Sequence, residues 1–347
     1  MLENTAGNVN DTYIAVFRTP FEEHRFVVQR INRRVFPDPP LIMRNMRRIT
    51  DHVHSRILEE LDVSDRLWQL PRVIPAASGE DYVLDSDGNY WRAISLIASA
   101  DAYETVQGLE HAREAGAVLG QFQRFISDLP AEELEITLPG FHITPGYLEV
   151  LARTRATADG KSRMESTCET RECLEFIDAR ANWAGFLEEA RSCGDLGGRR
   201  IIKKKKIGNV MIDRITGKGT SIVDLDTVMP GLVHYDVGDC MRSCCNPAGE
   251  LATDLDTVYF DLDLCAAIAK GYIAFADSFL SEADRAFLYD CIRLLTFELG
   301  IRFFCDFAQG NVYFKTRYPR QNLDRAMVQF KLCRSIETQE TAIRRIW

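Results

Sequence analysis

The densest group of side chains able to do chemistry lies at the end of a β-rich run, Ile222-Val-Asp-Leu-Asp-Thr-Val-Met-Pro-Gly231, followed by His234-Tyr-Asp-Val-Gly-Asp239. It places four carboxylates, Asp224, Asp226, Asp236 and Asp239, within sixteen residues. Asp224 and Asp226 are two apart, and only one of them need face a cleft. Such a carboxylate could hold a metal ion, while Asp226, Asp236 and Asp239 could equally cap helices and bridge loops. Asn209 lies upstream of Asp224, just ahead of a short strand and just behind Lys203-Lys-Lys-Lys206. Asn209 and Asp224 would flank a hairpin and converge at its base. A magnesium ion bound by an amide oxygen and a carboxylate, with nucleotide phosphates completing its shell, is what phosphoryl transfer requires.

The elements that must position these groups fall into two kinds. Thr12–Phe17 and Arg25–Ile31 are β-rich runs on either side of a turn and predict a hairpin. Beyond Pro37, Pro39 and Pro40, the stretch from Leu41 to Leu61 sets Ile42, Met46, Ile49, Val53, Ile57 and Leu61 at helical spacing, a face that would pack on the hairpin sheet. Val73–Ala76 and Tyr90–Ile97 predict a second strand pair, with a polar turn at Asp85–Asn89. After the small-residue joint Ala98-Ser-Ala100 the pattern changes to long amphipathic helices, expected near 103–127, 145–158, 167–192, 254–277, 281–307 and 321–345. They are interrupted by a hairpin over Ile201–Val223 that turns at Asp213–Gly219. The expected fold is α+β: residues 1–100 as a small sheet lobe with one long helix, and 101–347 as a mainly helical lobe.

Composition bounds the possible partners. At 347 residues the chain fits two lobes rather than one compact core. The 51 acids outnumber the 42 bases, and a net charge of −9 argues against nucleic acid and anionic membranes as partners. No apolar run approaches the length of a membrane helix, and Met1–Asn10 lacks the basic start and apolar stretch of a secretion signal, so a cytoplasmic location is expected. The ten cysteines are scattered without Cys-x-x-Cys or zinc spacing, and most are expected to be buried reduced thiols.

The segment Arg199–Arg242 resembles the active-site region of the aminoglycoside phosphotransferase superfamily, in particular its N-acetylhexosamine 1-kinase-like branch. The signature Ile-Asp-Leu-Asp-Thr-Val-x-Pro-Gly-Leu is matched at Val223–Leu232, and Tyr-Asp-x-Gly-Asp at Tyr235–Asp239. The similarity extends to Gly7–Tyr13, Val28–Asp38, Phe141–Gly146 and Glu298–Phe304, most of the chain. It implies a protein-kinase-like bilobal fold, with ATP and Mg2+ as cofactors and a small-molecule sugar as substrate. By position it makes Asp224 and Asn209 the metal ligands and places Arg30 where the kinase strand lysine holds the α and β phosphates. Gly7 and Asn8 would belong to the phosphate-covering turn, and Ile97 and Ala98 would line the adenine pocket. Thr227, Arg302 and Tyr313 would face the hexosamine. Read without the resemblance, Arg30 is a surface strand residue, Arg302 an intrahelical ion-pair residue and Tyr313 a core aromatic.

One departure matters for catalysis. The family's catalytic loop reads His-Gly-Asp-Pro-Lys-x-x-Asn, and this chain has Ile202-Lys-Lys-Lys-Lys-Ile-Gly-Asn209, which puts Lys204 at the position of the base. An ammonium has no lone pair with which to accept a proton, so transfer is expected to be impaired. The alternatives are a non-catalytic nucleotide- or sugar-binding module, or a kinase for another acceptor such as an aminoglycoside or amino alcohol. A second departure is that only six residues precede Gly7, so the strand that kinase-like folds place before this turn is expected to be missing or frayed.

Overall fold

The computed structural model describes residues 2–4, 9–60, 66–196, 201–202 and 207–347. The strand expected to be missing or frayed is present as a three-residue segment: β1 (Leu2–Asn4) pairs antiparallel with β2 (Asp11–Arg18), Leu2 opposite Ile14. β2 pairs in turn with β3 (Glu23–Arg30), closed by a turn in which Thr19 N donates to Glu22 O at 2.8 Å. The helix α1 (Pro39–Glu59) begins where the prolines end the extended chain. Proline suits the first turn because its missing N–H has no partner there anyway, and the Asp38 carboxylate accepts from Leu41 N at 3.1 Å. Its predicted stripe, Ile42, Met46, Ile49, Val53 and Ile57, is buried; Leu61 lies outside the described residues. β4 (Val73–Ile74), β5 (Val83–Leu84) and β6 (Tyr90–Ser95) complete the antiparallel sheet in the order β1-β2-β3-β6-β4, with β5 also on β6.

Beyond the joint, β7 (Ala100–Ala102) leaves this sheet and leads into α2 (Leu109–Phe125), α3 (Thr144–Arg155), α4 (Ala158–Met164), α5 (Cys168–Asp178) and α6 (Phe186–Cys193). The single helix expected over 167–192 is thus two. Trp183 turns inward onto Phe297, ring centres 5.1 Å apart, and the Arg293 guanidinium sits 4.0 Å from its ring, so tertiary packing draws the chain out of helical register before Gly185. Next come β8 (Ile201–Ile202), the hairpin β9 (Val210–Asp213) and β10 (Gly219–Ile222), and β11 (Met229–Pro230). β9 is flanked by β7 and β10, while β11 pairs with β8.

The chain ends in α7 (Val233–Cys244), α8 (Leu262–Ala276), α9 (Glu282–Ala286), α10 (Leu288–Ala308), α11 (Gln321–Thr338) and α12 (Glu340–Ile346). The helices expected over 281–307 and 321–345 are therefore each broken once, at Phe287 and at Gln339. α10 is buried along nearly its whole length and is the axis of the helical part. All ten cysteines are free thiols, and only Cys168 and Cys193 are exposed. Among the described residues no helix is long and apolar enough to cross a membrane.

Candidate active site

The β9–β10 register ends with Val210 opposite Ile222, so the next residue on each strand stands at the open end of the hairpin. There Val223 N donates to Asn209 O at 2.9 Å, and Asn209 Nδ2 lies 3.3 Å from Asp224 Oδ2. Asp224 adopts φ +65°, a left-handed conformation that Asp tolerates because its short polar side chain can bond locally. The bend turns its carboxylate toward solvent while Asp226 is buried. Residues two apart in a continuous strand share a face, so it is this left-handed break in the extended chain that separates the two acids. Both Asn209 and Asp224 can present hard oxygen, the donor type a magnesium ion takes, once the amide turns its Oδ1 inward. Among the described residues no three His, Cys, Asp or Glu side chains are grouped to hold a metal ion.

Asp226 is engaged from the N-terminal sheet. Arg92 Nη2 lies 2.5 Å from its Oδ1 in an ion pair that lacks hydrogen-bond alignment, and Asn10 Nδ2 donates to its Oδ2 at 2.6 Å. Thr12, Gln29 and Arg92 stand opposite one another on neighbouring strands and so share one face of the sheet. On that face Arg92 donates to Gln29 Oε1 from Nε at 2.9 Å and Nη2 at 2.6 Å, and Gln29 Nε2 donates to Thr12 Oγ1 at 3.1 Å. Arg30, one residue on from Gln29, faces the other way and is exposed, its guanidinium paired with Asp11. It is not among the groups that converge on the Asp224–Asp226 turn.

Gly7, Asn8 and Lys204 lie outside the described residues. Ile97 is buried and Ala98 exposed, and the Ala98 carbonyl accepts from Arg214 Nη1 at 2.8 Å. Arg214 also donates to the Asp101 carboxylate, so the joint is clamped to the turn of the β9–β10 hairpin at the end opposite Asn209. The remaining acids of the signature are structural. Asp236 accepts from Gln123 Nε2 at 2.9 Å, and Asp239 Oδ1 accepts from Arg242 Nε at 2.9 Å. Both sit inside α7 rather than capping it: Asp236 ties it to α2, while Asp239 pairs with Arg242 of the same helix.

A second buried polar cluster involves α3, α7 and α10. Glu298 accepts from His142 Nδ1 and from Thr144 Oγ1, each at 2.9 Å, and stands 3.9 Å from Arg302 Nη1 one helical turn along. The Arg302 guanidinium lies 5.1 Å from the ring centre of Tyr147, 5.4 Å from that of Phe141 and 5.7 Å from that of Phe314, a cage that offsets part of its desolvation. Burial pushes the Tyr147 hydroxyl up to about 12, so it stays a hydrogen-bond donor at neutral pH. His142 stacks on Tyr235, whose hydroxyl donates to Glu188 at 3.1 Å. Tyr313 is 55% exposed, on a loop held by the buried Asp306 carboxylate, which accepts from the backbone N–H groups of Val312, Tyr313 and Phe314. Thr227 is buried on the Asp224 turn.

Arg92, Gln29, Asn10, Glu298 and His142 escape a reading of the sequence. A lone arginine in Tyr90-Trp-Arg-Ala-Ile94, at the same strand parity as the buried Ile94, is the one local sign that a cation is turned inward.

No protein-family model matches the chain. Its architecture is nevertheless shared, over almost its full length, with solved small-molecule kinases. An aminoglycoside phosphotransferase from Alicyclobacillus acidocaldarius superposes with a TM-score of 0.57 at 13% identity, over 97% of this chain and 93% of that one. A microcompartment-associated aminopropanol kinase gives 0.54 at 14% identity, over 96% and 93%. Amicoumacin kinase, solved with AMP-PNP and Ca2+, gives 0.54 at 12% identity, over 96% and 87%. At these identities the likeness is one of fold: an antiparallel N-terminal sheet followed by a mainly helical part, the kinase-like architecture of small-molecule phosphotransferases.

Proposed function

We propose that this chain is an ATP-dependent phosphotransferase for the anomeric hydroxyl of an N-acetylhexosamine, with residues 1–100 covering the nucleotide and 101–347 carrying the metal-binding and catalytic turns. The observation that carries this reading is the pairing of Asn209 with an outward-turned Asp224 at the mouth of the β9–β10 hairpin. Asn209 and Asp224 would hold Mg2+ there, and the ion would supply charge neutralisation to the phosphates. Ile97 and Ala98 would line the adenine site. Thr227, Arg302 and Tyr313 would orient the sugar through hydroxyl, guanidinium and phenol groups suited to hydroxyls and an acetamido carbonyl.

In the reaction the sugar oxygen attacks the γ-phosphorus, the bond to the β–γ bridging oxygen breaks and ADP leaves. The hydroxyl proton must pass to a base. By sequence position Lys204 replaces that base, and an ammonium cannot accept a proton, which would lower turnover by about 10²- to 10⁴-fold. The test is the chain carrying Ile202→His, Lys203→Gly, Lys204→Asp and Lys205→Pro, incubated with Mg-ATP and N-acetylhexosamines. Sugar 1-phosphate is the expected product; a folded variant that phosphorylates no sugar overturns the reading.

Lys204 itself favours a second reading, a nucleotide-binding module without turnover. ATP that raises the melting temperature of the unaltered chain only when Mg2+ is present, with no product formed by either chain, would select it. The solved neighbours include kinases whose names carry amine acceptors, aminopropanol and aminoglycoside. In this chain Glu298 already accepts from His142 and Thr144 and faces Arg302, so a cationic amine would find a cation beside the carboxylate it needs. That supports the neutral acceptor.

A further inference from the structure

Arg92 and Asp226 are each buried, their side chains 1% exposed, and they join a strand of the N-terminal sheet to the turn that carries Asp224. A buried ion pair is a poor source of stability, because removing two charges from water costs about what their attraction returns, and apolar replacements of both partners are often as stable. What the pair does supply is geometry. Each Asp226 oxygen has its own partner, Arg92 from β6 and Asn10 just ahead of β2, and Asn10 Oδ1 in turn accepts from Asn32 N at 3.0 Å. From α1, Asn45 Nδ2 donates to Val228 O at 3.2 Å. The turn bearing Asp224 is therefore suspended from three elements of the N-terminal part.

We propose that Arg92 and Asp226 are positioning residues that lock the Asp224 turn to the nucleotide-covering sheet, so that the sheet and the metal carboxylate move as one body. The proposal rests on the reading of Asp224 as a metal ligand. Removing both charges together, Arg92→Met with Asp226→Asn, avoids stranding a single buried charge and keeps the chain folded. In the full-length chain without ligand, amide hydrogen exchange of residues 223–228 in this double variant is expected to be at least about tenfold faster, with α10 unchanged. The ratio of ATP dissociation constants in EDTA and in Mg2+ is expected to fall by about tenfold, with the EDTA value itself little altered. Arg92→Lys, which keeps the charge, should recover part of both.

Unchanged exchange at 223–228 in the folded double variant overturns the proposal, whatever the nucleotide does. So does uniformly faster exchange along the chain with the Mg2+ ratio preserved, because that is what a merely structural pair would give. An unaltered chain whose ATP binding ignores Mg2+ overturns Asp224 as a metal ligand and with it this role of the pair; the exchange measurement then still decides whether the pair fixes the turn.

Discussion

Asn209 and Asp224 are fifteen residues apart in the chain and 3.3 Å apart in space, because the β9–β10 register ends one residue short of Asn209 and two short of Asp224. Asp224→Asn should leave the turn intact, since Asn accepts the same left-handed backbone, while removing the charge a divalent ion needs. Mg2+-dependent stabilisation by ATP is expected to fall by at least about tenfold in affinity, with the unliganded melting temperature unchanged. Asp224→Ala should lose the same affinity and in addition about 1 kcal/mol of stability, because alanine at φ +65° is strained. Retained Mg2+ dependence in Asp224→Asn would move the metal site elsewhere.

The meeting of Asn209 and Asp224 is legible in the sequence because it follows from a local hairpin, and the 3.6-residue spacing from Ile42 to Ile57 dictates the buried stripe of α1. The separation of Asp224 from Asp226 is not legible in their two-residue spacing, which in a strand would put them on one face; it comes from the left-handed backbone at Asp224. Arg92 and Arg30 show where such reasoning stops. Strand parity says that Arg92 and Ile94 share a face, and that Arg30 opposes Gln29, but which face meets the Asp226 turn is fixed by tertiary packing between segments distant in sequence. The break between α5 and α6 has the same origin, since nothing near Trp183 announces that Phe297 and Arg293 will claim its ring.

Arg302 is caged by Tyr147, Phe141 and Phe314 and backed by Glu298. In the chain with the restored loop, Arg302→Met should raise KM for the sugar by about 10- to 100-fold, equivalent to the loss of one charge-assisted hydrogen bond, and leave KM for ATP unchanged. Glu298→Gln should act differently. It leaves the buried guanidinium without its counter-charge and is expected to cost about 3–5 kcal/mol of stability, read by denaturant unfolding. Equal changes in both KM values would take Arg302 out of the acceptor site.

Acid should destabilise the fold through its buried imidazoles. His234 donates from Nε2 to Asp284 O at 2.9 Å, and burial draws its pKa below the usual value, only partly opposed by that bond. Above about pH 6.5 neither the folded nor the unfolded chain protonates it, so it adds no pH dependence there. As pH falls below about 6.5 the unfolded chain takes the proton first, and stability drops by up to about 1.4 kcal/mol per pH unit. His54 and His111 shift in the same direction, also through burial. His234→Gln, whose amide can still donate to the Asp284 carbonyl, should flatten the decline of melting temperature between pH 6.5 and 5 without abolishing it. An unaltered slope would show that His234 is not what titrates.

The crossing of α2 and α8 sets how far the helical part tolerates change. A Cβ on Gly271 would stand 1.9 Å from Arg113 O, and one on Gly116 would stand 2.0 Å from Ile268 O, so in both cases backbone meets backbone and no side chain can yield. Gly271→Ala must push the two helices apart, and an expected cost of about 3 kcal/mol sits at the upper end of overpacking penalties. The same crossing carries the chain of bonds from Tyr272 through Gln123 to Asp236, so its separation loosens α7 just beyond the Asp224 turn. Gly146, in the first turn of α3 with open space around it, is the contrasting position. Gly146→Ala should be neutral or should gain up to about 1 kcal/mol from helix propensity. Chemical denaturation of the two variants checks both signs, and a Gly271→Ala chain as stable as the unaltered one would mean the helices do not approach this closely in solution.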